Sequence, residues 1–261
     1  MTIPPVPPGT VPALREDWQR ALCVAAHPDD LEYGVASAVA RWTSQGKQVV
    51  YLLVTRGEAG IDGLDPAEAG PLREVEQRAA GRAVGVEELE FLDYTDGVVE
   101  YGLGLRRDIS RVIRKHRPEI VITGSYADKM EGGFVNQADH RAVGLATLDA
   151  VRDAANRWVF RELVTEGHEP WSGVRAILFG SLSPVNCGVD VTGFVEQGKA
   201  AMRAHQAYFS GLGDGATDPG EIVAYIAAES GKRMGVPAAA LFEACVLDPT
   251  GPPPWEVTEE A

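Results

Sequence analysis

A histidine and two acidic residues lie together near the start of the chain. Residues 26–30 read Ala-His-Pro-Asp-Asp and directly follow the apolar run 21–25, which is typical of a buried strand. An imidazole and a carboxylate three residues apart, His27 and Asp30, can both reach one Zn²⁺ where a strand turns into a helix. The intervening Asp29 then stays free to accept a proton from water at the metal. This spacing indicates a metal-assisted hydrolase, although an Asp near a helix start can also serve only as an N-cap.

A third metal ligand is predicted at His140. It begins a long helical pattern, and the preceding run 119–123 reads as a buried parallel strand between Pro118 and Gly124. His27 and His140 therefore both lie beyond the carboxyl ends of strands. Open α/β sheets bind their ligands at that edge.

The order of apolar patterns predicts one fold class, an α/β fold with a doubly wound, mostly parallel, Rossmann-like sheet. Strands are predicted at 21–26, 48–55, 89–92, 119–123 and 174–181. Helices are predicted between them near 33–45, 71–85, 104–116 and 140–165. A short strand at 189–191 and helices at 193–209 and 219–234 are expected to follow.

Proline marks both ends of the chain. Residues 1–20 are predicted to form a proline-rich arm that packs on the surface or on another subunit, so a homo-oligomer is a further expectation. Residues 21–247 are predicted to form a single α/β domain. Residues 248–261 are predicted to form a proline-rich, acidic tail, because the prolines there interrupt regular structure.

Charge and composition exclude several function classes. The formal net charge of −14 argues against nucleic acid or an anionic membrane surface as a partner and favours a neutral or cationic small molecule. We see neither a signal sequence nor an apolar stretch of about 18 residues, so the expected location is the cytoplasm. Three cysteines without Cys-x-x-Cys spacing indicate reduced, packed thiols.

Several short motifs, taken in order, resemble the PIG-L (LmbE-like) family of zinc-dependent N-acetylglucosaminyl deacetylases. The first signature is residues 26–30 with Glu32 and Gly34, and the second is Ala-Asp-His-Arg at 138–141. Between them lie an Arg-x-x-Glu helix at 73–76 and an Asp-Gly turn at 96–97, and a Lys-and-His helix follows at 199–205. The resemblance covers roughly residues 20–210.

This resemblance implies a role for each motif residue. It implies His27, Asp30 and His140 as ligands of one Zn²⁺ per chain, with other divalent metals as alternatives, and Asp29 as the general base. Three protein ligands leave a fourth position for water, which is typical of a catalytic zinc site. The resemblance also implies that Arg73 and Asp96 face the pocket and bind sugar hydroxyls.

The chain departs from the family's pattern at Gln137, where many relatives carry a histidine that stabilises the oxyanion. Glutamine cannot act as an acid, but its amide can donate a hydrogen bond to developing negative charge. We therefore predict a catalytic role for Gln137 without proton transfer. His205 is either a packing residue or a partner of the site.

The leading hypothesis is a metal-dependent hydrolase that removes an N-acetyl or other N-acyl group from an amino sugar or its conjugate. A second hypothesis keeps this chemistry for a larger amide, such as a fatty acyl glycoside or a thiol conjugate. A third is a non-catalytic sugar- or nucleotide-binding module on a similar fold. The pair of histidines with two acids at strand ends argues against the third hypothesis.

Overall fold

The computed structural model describes residues 11–130, 133–180, 185–213, 218–247 and 254–255. Within these residues, seven strands form one sheet: β1 (Arg20–Ala25), β2 (Gln48–Leu53), β3 (Glu88–Phe91), β4 (Ile120–Gly124), β5 (Ala176–Gly180), β6 (Cys187–Asp190) and β7 (Ala239–Val246). The helices of the same residues are α1 (Ala36–Ser44), α2 (Pro66–Ala83), α3 (Leu103–His116), α4 (Ala138–Ala155), α5 (Arg161–Thr165), α6 (Val195–Arg203), α7 (Gln206–Gly211) and α8 (Gly220–Met234).

The sheet has the order β3-β2-β1-β4-β5-β7-β6. β1 is parallel to both of its neighbours, with Leu22 opposite Val50 of β2 and Val121 of β4. β3 and β5 continue the parallel pairing, whereas β7 runs antiparallel to both β5 and β6. The predicted doubly wound, mostly parallel α/β fold is confirmed. Because the strand order reverses between β1 and β4, a crevice forms there at the carboxyl edge of the sheet.

Successive side chains of β1 serve two different cores, because they point to opposite faces of the sheet. Leu22 and Val24 belong to the core that includes residues of α3 and α4, whereas Cys23 belongs to the core that includes Trp42 and Phe242. All of these side chains are buried, and each contributes about 1.5–3 kcal/mol relative to an exposed position. β1 is thus fixed on both faces, which holds the loop that follows it.

Three details differ from the sequence prediction. The predicted helix at 140–165 is two helices, because the chain is extended at Asn156 and Phe160 adopts a positive φ of 51°. The predicted helix at 193–209 is also two, with the break at His205. β7 was not predicted, since its alanine-rich sequence has low strand propensity. It forms a strand because it pairs with β5 and β6, both antiparallel to it.

Residues 11–20 of the predicted arm pack on the α/β sheet domain. Trp18 is buried edge-on against Trp42 of α1, and Leu14 pairs with Trp255 near the chain end. Residues 1–10 and most of the predicted tail at 248–261 lie outside the described residues. Among the helices that the structure describes, none has the length and hydropathy that crossing a membrane requires.

Candidate active site

The loop after β1 reaches the crevice through one unusual backbone conformation. Asp29 has a positive φ of 83°, a region that Asp and Asn adopt more readily than most residues. The Asp30 carboxylate turns back and accepts a hydrogen bond from the backbone N–H of His27 at 2.9 Å. From the other side of the crevice, α4 begins at Ala138 and presents His140 from its first turn. The predicted ligands therefore approach from two separate segments.

The structure brings His27, Asp30 and His140 together. Nδ1 of His27 lies 3.2 Å from Nε2 of His140. Nε2 of His140 in turn lies 3.0 Å from Oδ1 of Asp30. Oδ2 of Asp30 is 3.6 Å from Nδ1 of His27. Tetrahedral bonds of about 2.0–2.1 Å hold ligand atoms about 3.3 Å apart, so these separations suit a single zinc ion. These three side chains, the metal-binding group, could hold one metal ion.

The second ring nitrogen of His27 faces two carboxylates. Nε2 lies 3.0 Å from Oδ1 of Asp96 and 3.2 Å from Oδ2 of Asp139. Asp139 also accepts hydrogen bonds from the backbone N–H groups of Gly97 and Val99, at 2.8 and 3.1 Å. A carboxylate behind a metal-binding histidine fixes the ring and raises its basicity. These acids therefore hold the His27 ring with Nδ1 toward the crevice.

His140 is held by an amide instead. Its Nδ1 lies 3.1 Å from Oδ1 of Asn136, while the amide nitrogen of Asn136 donates to the backbone oxygens of Ser125 and Ala127 at 2.7 and 2.9 Å. Those two bonds fix the orientation of the Asn136 amide. Its oxygen consequently accepts the proton on Nδ1, which leaves Nε2 of His140 free for a metal.

The charges of this cluster favour a cation. Burial lowers the pKa of His27, but hydrogen bonds and charge interactions with Asp30 and Asp96 outweigh it and raise that pKa to about 11. Burial also lowers the pKa of His140, and the negative charge of Asp30 reverses the shift. The carboxylates thus stabilise positive charge where the two rings meet. Imidazole nitrogens with one carboxylate suit zinc among the biological metals.

Asp29 lies beside the metal-binding group without joining it. Its side chain is almost fully buried, and Oδ1 accepts a hydrogen bond from Nη2 of Arg73 at 3.0 Å. Burial raises the pKa of Asp29 to about 7, and the like charge of Asp30 adds to the shift, while Arg73 opposes it. A carboxylate with this pKa is suited to accept and release a proton near neutral pH.

A row of buried, hydrogen-bonded side chains holds the backbone of Asp29 in place. Its backbone N–H donates to Oε1 of Gln77 at 2.9 Å, and Nε2 of Gln77 donates to Glu32 at 3.0 Å. Oε2 of Glu32 lies 3.8 Å from Nε2 of His205, and both of these side chains are fully buried. Glu32 raises the pKa of His205 against the effect of burial. The Glu32–Gln77 link therefore fixes the backbone of Asp29.

A cavity of about 390 Å³ adjoins the metal-binding group. Asp30 and His140 contribute to its wall, and the rest comes mainly from the segment 31–35, α8, β7 and the ends of β1 and β4. The metal-binding group thus lies between this cavity and the buried charges around Asp29. Such a position is typical of a catalytic centre.

Comparisons with known proteins agree with this geometry. Residues 22–151 match the model of the PIG-L family, described as GlcNAc-PI de-N-acetylase. Diacetylchitobiose deacetylase of Thermococcus kodakarensis is 32% identical over 195 residues, which cover 74% of this chain and 71% of that protein. The chain belongs to the PIG-L family.

Two further similarities concern sugar substrates and fold. A deacetylase of 1D-myo-inositol 2-acetamido-2-deoxy-alpha-D-glucopyranoside from Kineococcus radiotolerans is 29% identical, covering 72% of this chain and 68% of that protein. The solved structure of N,N'-diacetylchitobiose deacetylase from Pyrococcus horikoshii has a TM-score of 0.79 at 23% identity, covering 90% and 88% of the two chains. The predicted family and its class of enzyme, N-deacetylases, are confirmed.

Arg73 and Asp96 lie within this PIG-L centre, and their contacts are with the protein. The Arg73 guanidinium donates to the backbone oxygens of Pro28 and Gly57 at 2.7 and 2.9 Å and stacks on the ring of Tyr208 at 4.1 Å. The second oxygen of Asp96 accepts the N–H of Ala59 at 2.8 Å. Both side chains are less than a tenth exposed. Their predicted contacts with sugar hydroxyls stay predictions.

Gln137 is the N-cap residue of α4, three positions before His140. It is exposed, and its side chain makes no capping hydrogen bond to its own helix. The predicted role of its amide in oxyanion stabilisation stays a prediction.

Sequence reasoning assigned no role to Asp139, Asn136 or Gln77. Asn136 does carry a signal, because a residue four positions before His140 lies one helical turn away from it. Gln77 lies one turn after Arg73 on α2, where both side chains face the loop of Asp29. The partners of Asp139 and Gln77 lie 112 and 48 positions away in the sequence, so the motif spacing does not reveal these two residues.

Proposed function

We propose that this protein is a zinc-dependent hydrolase that removes an N-acetyl or other N-acyl group from an amino sugar or an amino-sugar conjugate. The observation that carries the proposal is the convergence of His27, Asp30 and His140, with Asp29 beside them as a buried carboxylate outside the ligand set. The two relatives in Thermococcus kodakarensis and Kineococcus radiotolerans are named for acetylated sugar compounds, which supports this substrate class.

Each side chain of the centre has a task in this proposal. Zn²⁺ held by the His27, Asp30 and His140 side chains would polarise the acyl carbonyl and acidify a water molecule. Asp29 accepts the proton of the attacking water and returns it to the departing amine nitrogen. Arg73 holds the Asp29 carboxylate in place for both transfers, because its guanidinium is fixed by two backbone oxygens.

Gln137 is proposed to donate a hydrogen bond to the oxygen that gains negative charge during attack. Asp96 and Arg73 are also proposed to contact sugar hydroxyls, through the small part of each side chain that the protein leaves exposed. The substrate is a small molecule, and the cytoplasmic location and the homo-oligomer remain predictions.

The test compares metal-free and zinc-loaded full-length protein on N-acetylglucosamine and diacetylchitobiose, with the released primary amine measured. We expect hydrolysis only after zinc is added, at one zinc ion per chain by elemental analysis. His140→Ala should lose both zinc and hydrolysis. His168→Ala is the matched control, because His168 lies in a loop outside the metal-binding group. Full activity of His140→Ala, or of the metal-free protein, would contradict the proposal.

A further inference from the structure

The cavity beside the metal-binding group differs in character from the rest of the centre. Its described wall is mainly apolar, with aliphatic side chains from α4, α8 and β7 and from the connections between elements: Leu31, Val35, Val143, Val191, Val223 and Leu241. The charged groups of the described wall are few and lie toward the metal-binding group: Asp30, Glu32 and His140. One end of the cavity is therefore polar and reactive, and the remainder is apolar.

Two residues in the cavity wall are glycines and place no side chain in the cavity. A Cβ atom built on Gly34 or Gly124 would meet no other atom within 4 Å. Both residues line the cavity, and Gly124 is the last residue of β4. Neither has a positive φ, so the backbone does not require glycine there. Gly34 is exposed, so the open space there is solvent, whereas the absence of a side chain at Gly124 leaves volume in the cavity wall.

The volume exceeds what an acetyl group needs. At about 30 Å³ for each water-sized group, the three heavy atoms of an acetyl group would fill roughly a quarter of the 390 Å³. The cavity lies within the range of about 300–1,000 Å³ that is typical of small-molecule sites. The cavity can therefore hold an occupant larger than acetyl.

The chemistry of the wall favours a hydrocarbon over a sugar ring. A buried sugar would need a hydrogen-bond partner for each hydroxyl, and unpartnered polar groups are costly to bury. Aliphatic side chains outnumber hydroxyls in the described wall, and the buried hydroxyls of Ser37 and Thr123 have no hydrogen-bond partner among the described residues. Buried methylenes need no such partners, and each one adds about 3- to 4-fold in affinity.

We propose that this cavity receives the acyl chain of the substrate, and that the enzyme hydrolyses N-acyl amino sugars with chains of about eight carbons in preference to acetyl. The amide carbon then lies at the polar end, beside Asp30 and His140, while the chain extends toward α8 and β7. The amino sugar stays outside the cavity, toward Gln137 and the exposed face of the crevice. This inference rests on the proposed amidase function.

The test measures kcat/KM of the zinc-loaded, full-length protein for glucosamine carrying acetyl, butanoyl, hexanoyl and octanoyl groups. We expect kcat/KM to rise with chain length, and six added methylenes at about 3- to 4-fold each set an upper bound of about 700- to 4000-fold from acetyl to octanoyl. A flat or falling series would overturn the inference while leaving the proposed function intact. No hydrolysis of any of the four amides would instead contradict the proposed function.

Two neighbouring alanines of α8 provide a matched pair of variants. Ala227 is buried in the cavity wall, whereas Ala228 is exposed on the other side of the helix. Ala227→Phe should lower the octanoyl-to-acetyl ratio of kcat/KM by at least 10-fold, and Ala228→Phe should leave it unchanged. Gly124→Val fills the cavity from the opposite side and should act like Ala227→Phe, which covers the case in which the larger side chain prevents folding. Equal ratios in the cavity variants and in Ala228→Phe would overturn the inference.

Binding of the product acid gives a readout that does not depend on hydrolysis. Octanoate should bind at least 10-fold more tightly than acetate by calorimetry, and Ala227→Phe but not Ala228→Phe should abolish that difference. If octanoate discriminates between these variants and yet no amide is cleaved, the cavity assignment holds and the proposed function fails. Equal binding of octanoate and acetate to the wild-type protein would overturn the cavity assignment.

Discussion

The metal-binding group lies between two buried regions of opposite character, one made of hydrogen-bonded charged and polar side chains and the other made mainly of aliphatic side chains. The polar flank, defined as Asp29, Arg73, Gln77, Asp96 and Asp139, is almost fully buried and has hydrogen-bond partners for all of its carboxylates. The cavity on the other side is lined mainly by aliphatic side chains.

Because of this difference, we expect the polar flank to control the catalytic rate and the cavity to control selectivity for acyl-chain length. Buried charges are tolerated only when partners compensate for lost hydration, and removing one partner is costly. The polar flank is consequently held in one arrangement, which positions Asp29 and His27. Aliphatic walls limit the volume of a bound group but do little to fix its orientation, because apolar contacts are not directional. Changes in the polar flank should therefore affect all substrates alike, whereas changes in the cavity should depend on chain length.

Asp29→Asn tests the polar flank most strongly. Asparagine tolerates the positive φ at this position and keeps an oxygen for Arg73, but it cannot accept the proton. We expect kcat to fall by about 10²- to 10⁴-fold, equally for acetyl and octanoyl amides, with zinc content unchanged. A loss restricted to one chain length would break the separation of rate from selectivity.

Gln137→Ala tests a residue that belongs to neither region. Loss of one oxyanion donor should lower turnover by about 10- to 1000-fold without changing zinc content. Gln137→His should add a limb to the pH–rate profile near the reference histidine pKa of about 6.5. Unaltered turnover in the alanine variant would show that Gln137 is a bystander and that another donor faces the oxyanion.

Asp139→Asn tests how the polar flank acts on the metal. The change removes the negative charge behind His27 but retains the size of the side chain, so zinc affinity should fall by about 10- to 100-fold. Competition with a zinc-binding dye measures this. Asp149→Asn is the matched control on the same helix, because Asp149 contacts Tyr101 instead of His27. If both variants bound zinc equally, Asp139 would have only a local structural role.

A smaller effect should appear in the stability of the metal-free protein. The pKa of Asp29 is raised from 3.8 to about 7 by folding, chiefly by burial, so the native state binds this proton more tightly than the unfolded chain. Ionisation of Asp29 therefore lowers stability progressively from about pH 4 to pH 7, and the cost persists at higher pH. Asn carries no such cost.

Thermal unfolding of metal-free Asp29→Asn and wild type at pH 5 and pH 8 measures this cost. The variant should gain a few degrees relative to wild type at pH 8, and less at pH 5. A gain that did not depend on pH would mean that the negative charge of Asp29 is not what destabilises the polar flank.

The sequence by itself determined which side chains meet at the crevice and where the main parallel strands lie along the chain. His27, Asp29 and Asp30 are neighbours in the chain, and His140 follows a strand, so local spacing and the rule for sheet edges were sufficient to predict that they meet. Apolar periodicity was sufficient for β1 to β5, because strands buried on both faces have continuous apolar runs. β7 was missed, since its place depends on pairing with β5 and β6.

Only the tertiary structure decided what surrounds those residues. Asp139 contacts a histidine 112 positions away in the sequence, and Gln77 binds a backbone N–H 48 positions away. Hydrogen bonds of this kind depend on the distances and directions that packing of α2 and α4 on the sheet creates, and local spacing contains no such information. The cavity likewise exists only because segments far apart in the chain enclose a volume that none of them defines alone.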